Sequence, residues 1–285
     1  MNRWLTRSRK VVDVWTDAFA RHNLLTYASA IAFQVLKSLI PLSLLGIAIL
    51  GVVGRQEVWT TNVAPAIEKR LDPPVYHAID YAVKKIFEHN SGFLLVFAAL
   101  LTIWYVSGAV RGTMGGINRI YEVDETRPVT IRWLLSIALA ICITAGIVGA
   151  GLLIEVVPTP SGAAHVPVMV LRWLGAVAAL AAAAGLLIHF APAESKSKRW
   201  ASVGAALIVL TWIVTTLVFR WYVGSIANFK TAVGQLAVFI LLMAYVYASS
   251  IVFLVGVELD EMLRHGAKDG ARHGVLAVLL GTTER

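Results

Sequence analysis

The chain has 285 residues, 58% hydrophobic and only 15% charged, with a mean hydropathy of +0.73. Its apolar runs exceed what a soluble core of this size uses, which excludes a water-soluble globular protein and points to a polytopic membrane protein. The formal charge of +8 invites a nucleic-acid reading, but Lys- and Arg-rich cytoplasmic loops give a membrane protein the same balance, so the placement of the cations decides. The single cysteine, Cys142, can form neither an internal disulfide nor a multi-cysteine metal site.

Residues 2–22 set Trp4, Val11, Trp15 and Phe19 on one helical face, with Arg3, Arg7, Arg9, Lys10 and Arg21 around it. The segment 1–22 is predicted to be an amphipathic helix in the cytoplasmic headgroup region, its cations meeting anionic membrane lipid; a solvated helix docked on the bundle is the alternative. A cleavable signal peptide is not expected, because the first apolar run is about twice as long as a signal core.

That run, 23–53, is the first predicted span. At about 100° per residue, Asn23, Tyr27, Ala30, Gln34, Lys37, Ser38 and Pro41 share one stripe, which should face protein or water and not lipid. Pro41 has no amide hydrogen, so it frees the carbonyl of Lys37 and permits a kink beside the one mid-span amine.

Residues 55–91 form a polar insert broken by Pro65, Pro73 and Pro74, in which Val75, Ile79, Val83 and Ile86 predict a short amphipathic helix on the far side. A second span covers 92–112, its helix reaching about Tyr121, with Trp104, Gly108, Arg111, Gly115 and Asn118 along one stripe. Further spans are expected at 133–156, 168–190, 201–223 and 234–263, the fourth rich in alanine and suited to tight helix contacts. The expected organisation is thus all-α: a single six-helix membrane domain, 23–264, followed by a cytoplasmic tail, 265–285.

Six spans place both termini on one side. That side carries five Lys/Arg in the N-terminal segment, Arg119, Arg127 and Arg132 after span two, Lys196, Lys198 and Arg199 after span four, and Arg264, Lys268, Arg272 and Arg285 in the tail. The opposite side has five in the long insert and Lys230 in the last loop, so the termini are expected in the cytoplasm. Cations spread over flanking segments, without a stacking aromatic platform, also argue against a nucleic-acid partner.

No hydrolase or nuclease constellation stands out, and the seven histidines never adopt metal-ligand spacing with one another, so neither enzyme activity, metal nor cofactor is expected. Charges at membrane depth are costly, about 2.5–3.5 kcal/mol on insertion scales, and draw the functional reading instead. Lys37 is the deepest, read as facing a cavity or as a snorkelling cation. Arg111 is expected at the same depth as Glu258 and Asp260, where an ion pair would act as a clamp or a gate. Arg172 and Arg220 lie near span ends and read as structural. Span six adds Gln235, Tyr245, Ser249, Gly256 and Asp260 on one face, and span five adds Thr211 and Thr215. Several polar stripes together suit a hydrated cavity, whose candidate wall or gate is Tyr27, Gln34, Lys37, Ser38, Pro41, Trp104, Ser107, Arg111, Asn118, Gln235, Glu258 and Asp260.

The run Leu25 to Phe33, LTYASAIAF, followed by Leu36, Ser38, Leu39 and Pro41, resembles the first-span pattern of the YihY/BrkB family of bacterial inner-membrane proteins. Trp104 with Ser107, Asn118 and Tyr121, then Gly204, Ala205, Tyr222, Gly234, Tyr247, and the closing Gly256, Val257, Glu258 and Leu259 agree in order, covering about residues 20–264. Lys37 stands where that pattern is apolar, Tyr245 where a Trp is common and Val233 where a tyrosine is frequent. The resemblance implies a six-helix inner-membrane protein with cytoplasmic termini. Members have carried the label ribonuclease BN, which this sequence does not support, and some relatives are linked to export of lipid or lipopolysaccharide precursors. The expected function is a transporter or exporter moving a solute or amphiphilic lipid through a polar cavity; a non-transporting membrane scaffold is the alternative.

Overall fold

The structure, a computed structural model, describes residues 16, 19–69, 71–89, 92–155, 165–193, 211–212, 214–222 and 232–268. Most of the predicted N-terminal amphipathic helix, most of the span predicted at 201–223 and nearly all of the tail lie outside these residues. Among the described residues all regular structure is helical: α1 (Leu24–Val53), a π-helical turn (Trp59–Val63), α2 (Ala64–Glu68), α3 (Pro73–His89), α4 (Gly92–Ile120), α5 (Val129–Glu155), α6 (His165–Phe190) and α7 (Ala232–Lys268). Residues 214–222 add a helical segment before α7. Among the described residues, five stretches, Leu24–Val53, Gly92–Ile120, Val129–Ile154, His165–Phe190 and Phe239–Leu259, are long and apolar enough to cross a bilayer, which needs roughly twenty residues.

Their surfaces agree with a hydrocarbon surround. Ile40 and Phe93 are each 78% exposed, and Leu134, Leu171 and Ile240 likewise project from the outer faces of α5, α6 and α7. Lipid tails are as apolar as these side chains, so a helix in a bilayer has no reason to hide them. What it must hide is close backbone contact and polar groups.

Close contact is supplied by small residues. α1 packs most extensively on α4; α5 joins α4 to α6, and α7 lies against α1 and touches α4. On the α4 face toward α1, a Cβ added at Gly115 would lie 3.1 Å from Tyr27 and one at Gly108 would lie 3.1 Å from Gln34 Oε1, so glycine is what lets the two helices approach. At the α5–α6 contact, a Cβ on Gly146 would come within 3.1 Å of Ala183 and 3.4 Å of the Ala179 carbonyl, as the alanine-rich composition of α6 predicts. The main core gathers Leu24, Ala28 and Ile31 of α1, Val110, Met114 and Ile117 of α4, Leu139 and Ala140 of α5, and Leu254 and Val257 of α7.

α1 runs unbroken through Pro41, which is buried within it, and Ser38 turns its hydroxyl back onto the Val35 carbonyl at 2.7 Å. α1 ends on Gly54 at φ 73, with Arg55 N–H donating to the Leu50 carbonyl, the left-handed stop that glycine adopts without a Cβ penalty. The insert folds as the sequence predicts: Val83 and Phe87 of α3 are buried against Trp59, and Trp59 Nε1 donates to Asp80 at 2.9 Å. That bond and the neighbouring Lys84 ammonium at 2.6 Å hold the Asp80 carboxyl below the usual aspartate range, the Lys84 bond acting most strongly. Val75, read from the sequence as part of the helix's apolar stripe, lies exposed, while Tyr76 and Ile79 pack partly against the cluster.

Candidate functional site

The turn before α1, the end of α4 and the following connection to α5 enclose a cavity of about 540 Å³. Its lining is dense in charge: Arg21 and His22 from the first turn, Arg119 from α4, Glu122, Asp124 and Glu125 from the connection, and Arg132 from α5, with Tyr27, Gly115 and Asn118 forming the inner wall.

Each wall is held by identifiable bonds. Asn118, buried near the end of α4, donates from Nδ2 to Glu125 at 2.9 Å and accepts at Oδ1 from the Ala193 N–H at 2.8 Å. Arg127 grips Glu125 with two nitrogens, at 2.6 and 2.9 Å, and donates to the Ala191 and Phe190 carbonyls at the end of α6. One asparagine, one carboxylate and one guanidinium therefore join α4, the connection and α6, and the Arg127 bonds satisfy carbonyls that a helix end leaves free. The same bonds, with Arg127 first, hold the Glu125 carboxyl below the ordinary glutamate range against the opposing effect of burial.

The backbone turns sharply at two points of the rim. Asn23 and Glu122 both have positive φ, 52° and 50°, the left-handed region. Asparagine tolerates it; a glutamate there is under local strain. At the second turn Val123 N–H reaches back to the Asn118 carbonyl at 3.0 Å, so Glu122 does at the end of α4 what Gly54 does at the end of α1.

His22 connects the rim to α7. Its Nδ1 lies 2.7 Å from Glu258 Oε2, and its Nε2, buried and without a hydrogen bond among the described residues, lies 3.6 Å from Glu122. This corrects the sequence expectation for Glu258. Its partner is not Arg111, which donates to the Ser107 and Ser136 hydroxyls at 3.0 Å each and stacks on the Trp133 ring at 3.8 Å. Depth alone matched the two charges; the rotation of α4 turns Arg111 toward α5, whereas Glu258 faces the turn before α1.

Of the other sequence candidates, Tyr27 and Asn118 line the cavity. Gln34 lies against Gly108, and Ser38 and Pro41 are packed within the helices. Lys37 is exposed, its ammonium 5.2 Å from the Phe33 ring and 5.1 Å from the Tyr105 ring, a cation held over aromatic faces. Trp104 is exposed beside Trp133, and Ser107 is wholly buried. Gln235 and Asp260 lie on α7, with side chains outside the described residues. Sequence reasoning missed His22, Glu122, Asp124, Glu125 and Arg132 as cavity residues. The available signal is the charge density between Arg119 and Arg132, which serves topology and cavity alike.

Five membrane-length helices and a charged cavity at one end of them define a multi-pass α-helical membrane protein. The chain belongs to the family described as Virulence factor BrkB, which it matches over residues 15–275. It is similar to the ribonuclease-like protein YfkH of Bacillus subtilis (strain 168), with 26% identity over 219 residues, covering 73% of this chain and 80% of that protein. No solved structure matches it.

Proposed function

We propose that this chain is an inner-membrane transporter or exporter with six spans and both termini in the cytoplasm, and that the cavity bounded by α1, α4 and the α4–α5 connection receives its cargo. The observation that carries the reading is the cavity itself. At about 540 Å³ it falls within the range of small-molecule sites, roughly 300–1,000 Å³, and its charges exceed what packing requires. The positive-inside bias puts this end of the helices at the cytoplasmic surface, because Arg119, Arg127 and Arg132 all belong to it. The cargo is a solute or the polar head of an amphiphile.

The name of the Bacillus relative raises RNA cleavage. We read the present chain as no enzyme, because Glu125, a carboxylate of the cavity, is already engaged by Arg127 and Asn118. Purified protein is expected to leave RNA intact when supplied with divalent cations.

The direct test is mass spectrometry of what co-purifies with the full chain, followed by flux of each identified molecule in proteoliposomes. Movement that depends on the protein supports transport. Failure of every co-purifying molecule to move removes it.

A further inference from the structure

We propose that Arg132, in the cavity wall at the start of α5, and Arg111, which meets the same face one turn along, form a binding site for an oxyanion of the phosphate class. As a statement about cargo this rests on the transport reading; as a statement about binding it stands without it.

Arg132 lies in the first turn of α5 and lines the cavity. Its Nε is fully buried and has no hydrogen-bond partner among the described residues. An interfacial arginine that merely marks topology extends into water or headgroups, and leaving a buried donor unsatisfied costs about 1–3 kcal/mol, more for a charged group. Its position compounds the cost. The start of α5 has no acidic residue in its first turn, and a helix N-terminus disfavours a cation and favours an anion.

Arg111 lies beside it. Ser136, which accepts a bond from Arg111, is four residues after Arg132 and so one turn along the same face of α5. Gly115, in the cavity wall, is one turn along α4 from Arg111. Arg111 and Arg132 thus meet the same face of α5 one turn apart, Arg111 through Ser136 and Arg132 from its own position. The described partners of Arg111 are two hydroxyls and a tryptophan face, none of which carries negative charge.

Among the described side chains, the acidic residues nearby do not balance them. Glu122 and Asp124 are exposed on the rim, and Glu125 is bound by Arg127. Arg132 therefore brings a cation with a free buried donor to a cavity whose nearest carboxylates are exposed or already bound. Two planar guanidinium forks match the oxygens of a phosphate group, which would also lie at the α5 N-terminus. The exposed Trp104, its ring tilted against Trp133 with centroids 5.4 Å apart, adds an aromatic body of the kind that sits at headgroup level. The phosphate can be that of a lipid headgroup or a free anion.

The test uses the full chain in phosphatidylcholine nanodiscs. One arm adds a small fraction of phosphatidylglycerol and reads retained lipid by native mass spectrometry; the other titrates inorganic phosphate calorimetrically. Preferential retention of phosphatidylglycerol over phosphatidylcholine, at least tenfold weaker in Arg132→Gln and largely restored in Arg132→Lys, establishes a headgroup site. Saturable phosphate binding lost in Arg132→Gln establishes a site for the free anion. Arg132→Gln is the informative variant, since its removal leaves the Arg111 bonds to α5 in place. The proposal is overturned if the wild type shows neither preference nor phosphate binding, or if Arg132→Gln binds as the wild type does. Binding without flux removes transport and keeps the site, whereas flux unchanged in Arg132→Gln, with no binding in either arm, removes the site and keeps transport.

Discussion

His22 Nδ1 and Glu258 Oε2 lie 2.7 Å apart, both side chains buried, and tie the turn before α1 to the end of the membrane-crossing part of α7. The two residues are 236 positions apart, so this contact closes a loop that takes in most of the chain. Removing one member of a buried pair strands the other, at about 3–5 kcal/mol. His22→Ala is accordingly expected to destabilise by about 3 kcal/mol in thermal unfolding of the detergent-solubilised protein. Glu258→Gln keeps an acceptor for an imidazole N–H and is expected to cost only about 1 kcal/mol. Strict additivity in the double variant would show that the pair is not coupled.

Glu122 occupies a backbone position that favours glycine. With φ at 50° it carries left-handed strain of about 1–2 kcal/mol, while glycine at the same kind of turn, Gly54, carries none. Glu122→Gly is predicted to raise stability by about 1 kcal/mol once the extra freedom of an unfolded glycine is subtracted. Glu122→Ala removes the same carboxylate and keeps the strain, so it should not reproduce the gain. Equal unfolding midpoints for the two variants would mean that the charge, and not the backbone, sets the effect.

Glu125 makes stability depend on acidity. Its bonds to Arg127, and then to Asn118, lower its folded-state pKa, so the unfolded chain takes up a proton at higher pH than the folded one. The contribution is present in full above the ordinary glutamate value of about 4.3 and is lost as pH falls through the depressed folded value. Glu125→Gln is expected to lose about 2 kcal/mol at neutral pH, from charge-assisted bonds. Its deficit relative to wild type should shrink only below about pH 4. A constant deficit across that range would remove the carboxylate from the account.

What was legible in the sequence followed from periodicity and composition. Helices α1, α4, α5, α6 and α7 begin and end within a few residues of the apolar runs that predict them, because lipid rewards an uninterrupted apolar surface regardless of what the other helices do. The glycines of α4 were legible for the same local reason. Lys37 drew attention as a charge in an apolar run, yet it sits over the Phe33 and Tyr105 rings on an exposed face, since one residue of rotation separates the packed stripe of Ser38 from the outer surface. The cavity was not legible. Its walls come from segments far apart in the chain, and which of several charges at one depth become partners depends on helix rotation, as Arg111 and Glu258 show.

The glycines of α4 give a graded test of the α1–α4–α7 packing. A Cβ on Gly116 would lie 3.1 Å from Leu254, whose side chain is wholly buried, and 3.4 Å from Tyr27 Cβ, so neither neighbour has room to withdraw. At Gly108 the close atoms belong to the far end of Gln34, which can swing aside. At Gly112 the nearest atom, Ile31 Cγ1, is at 3.5 Å, an ordinary contact. Alanine should therefore cost about 1–3 kcal/mol at Gly116, under about 1 kcal/mol at Gly108 and within about 0.5 kcal/mol of zero at Gly112, read as unfolding midpoints in one detergent. Because Gly116 faces both Tyr27 and Leu254, its substitution should also loosen α7 from α1, detectable as faster amide exchange around Leu254. A Gly112→Ala protein less stable than Gly116→Ala would mean that α4 is rotated from the orientation described.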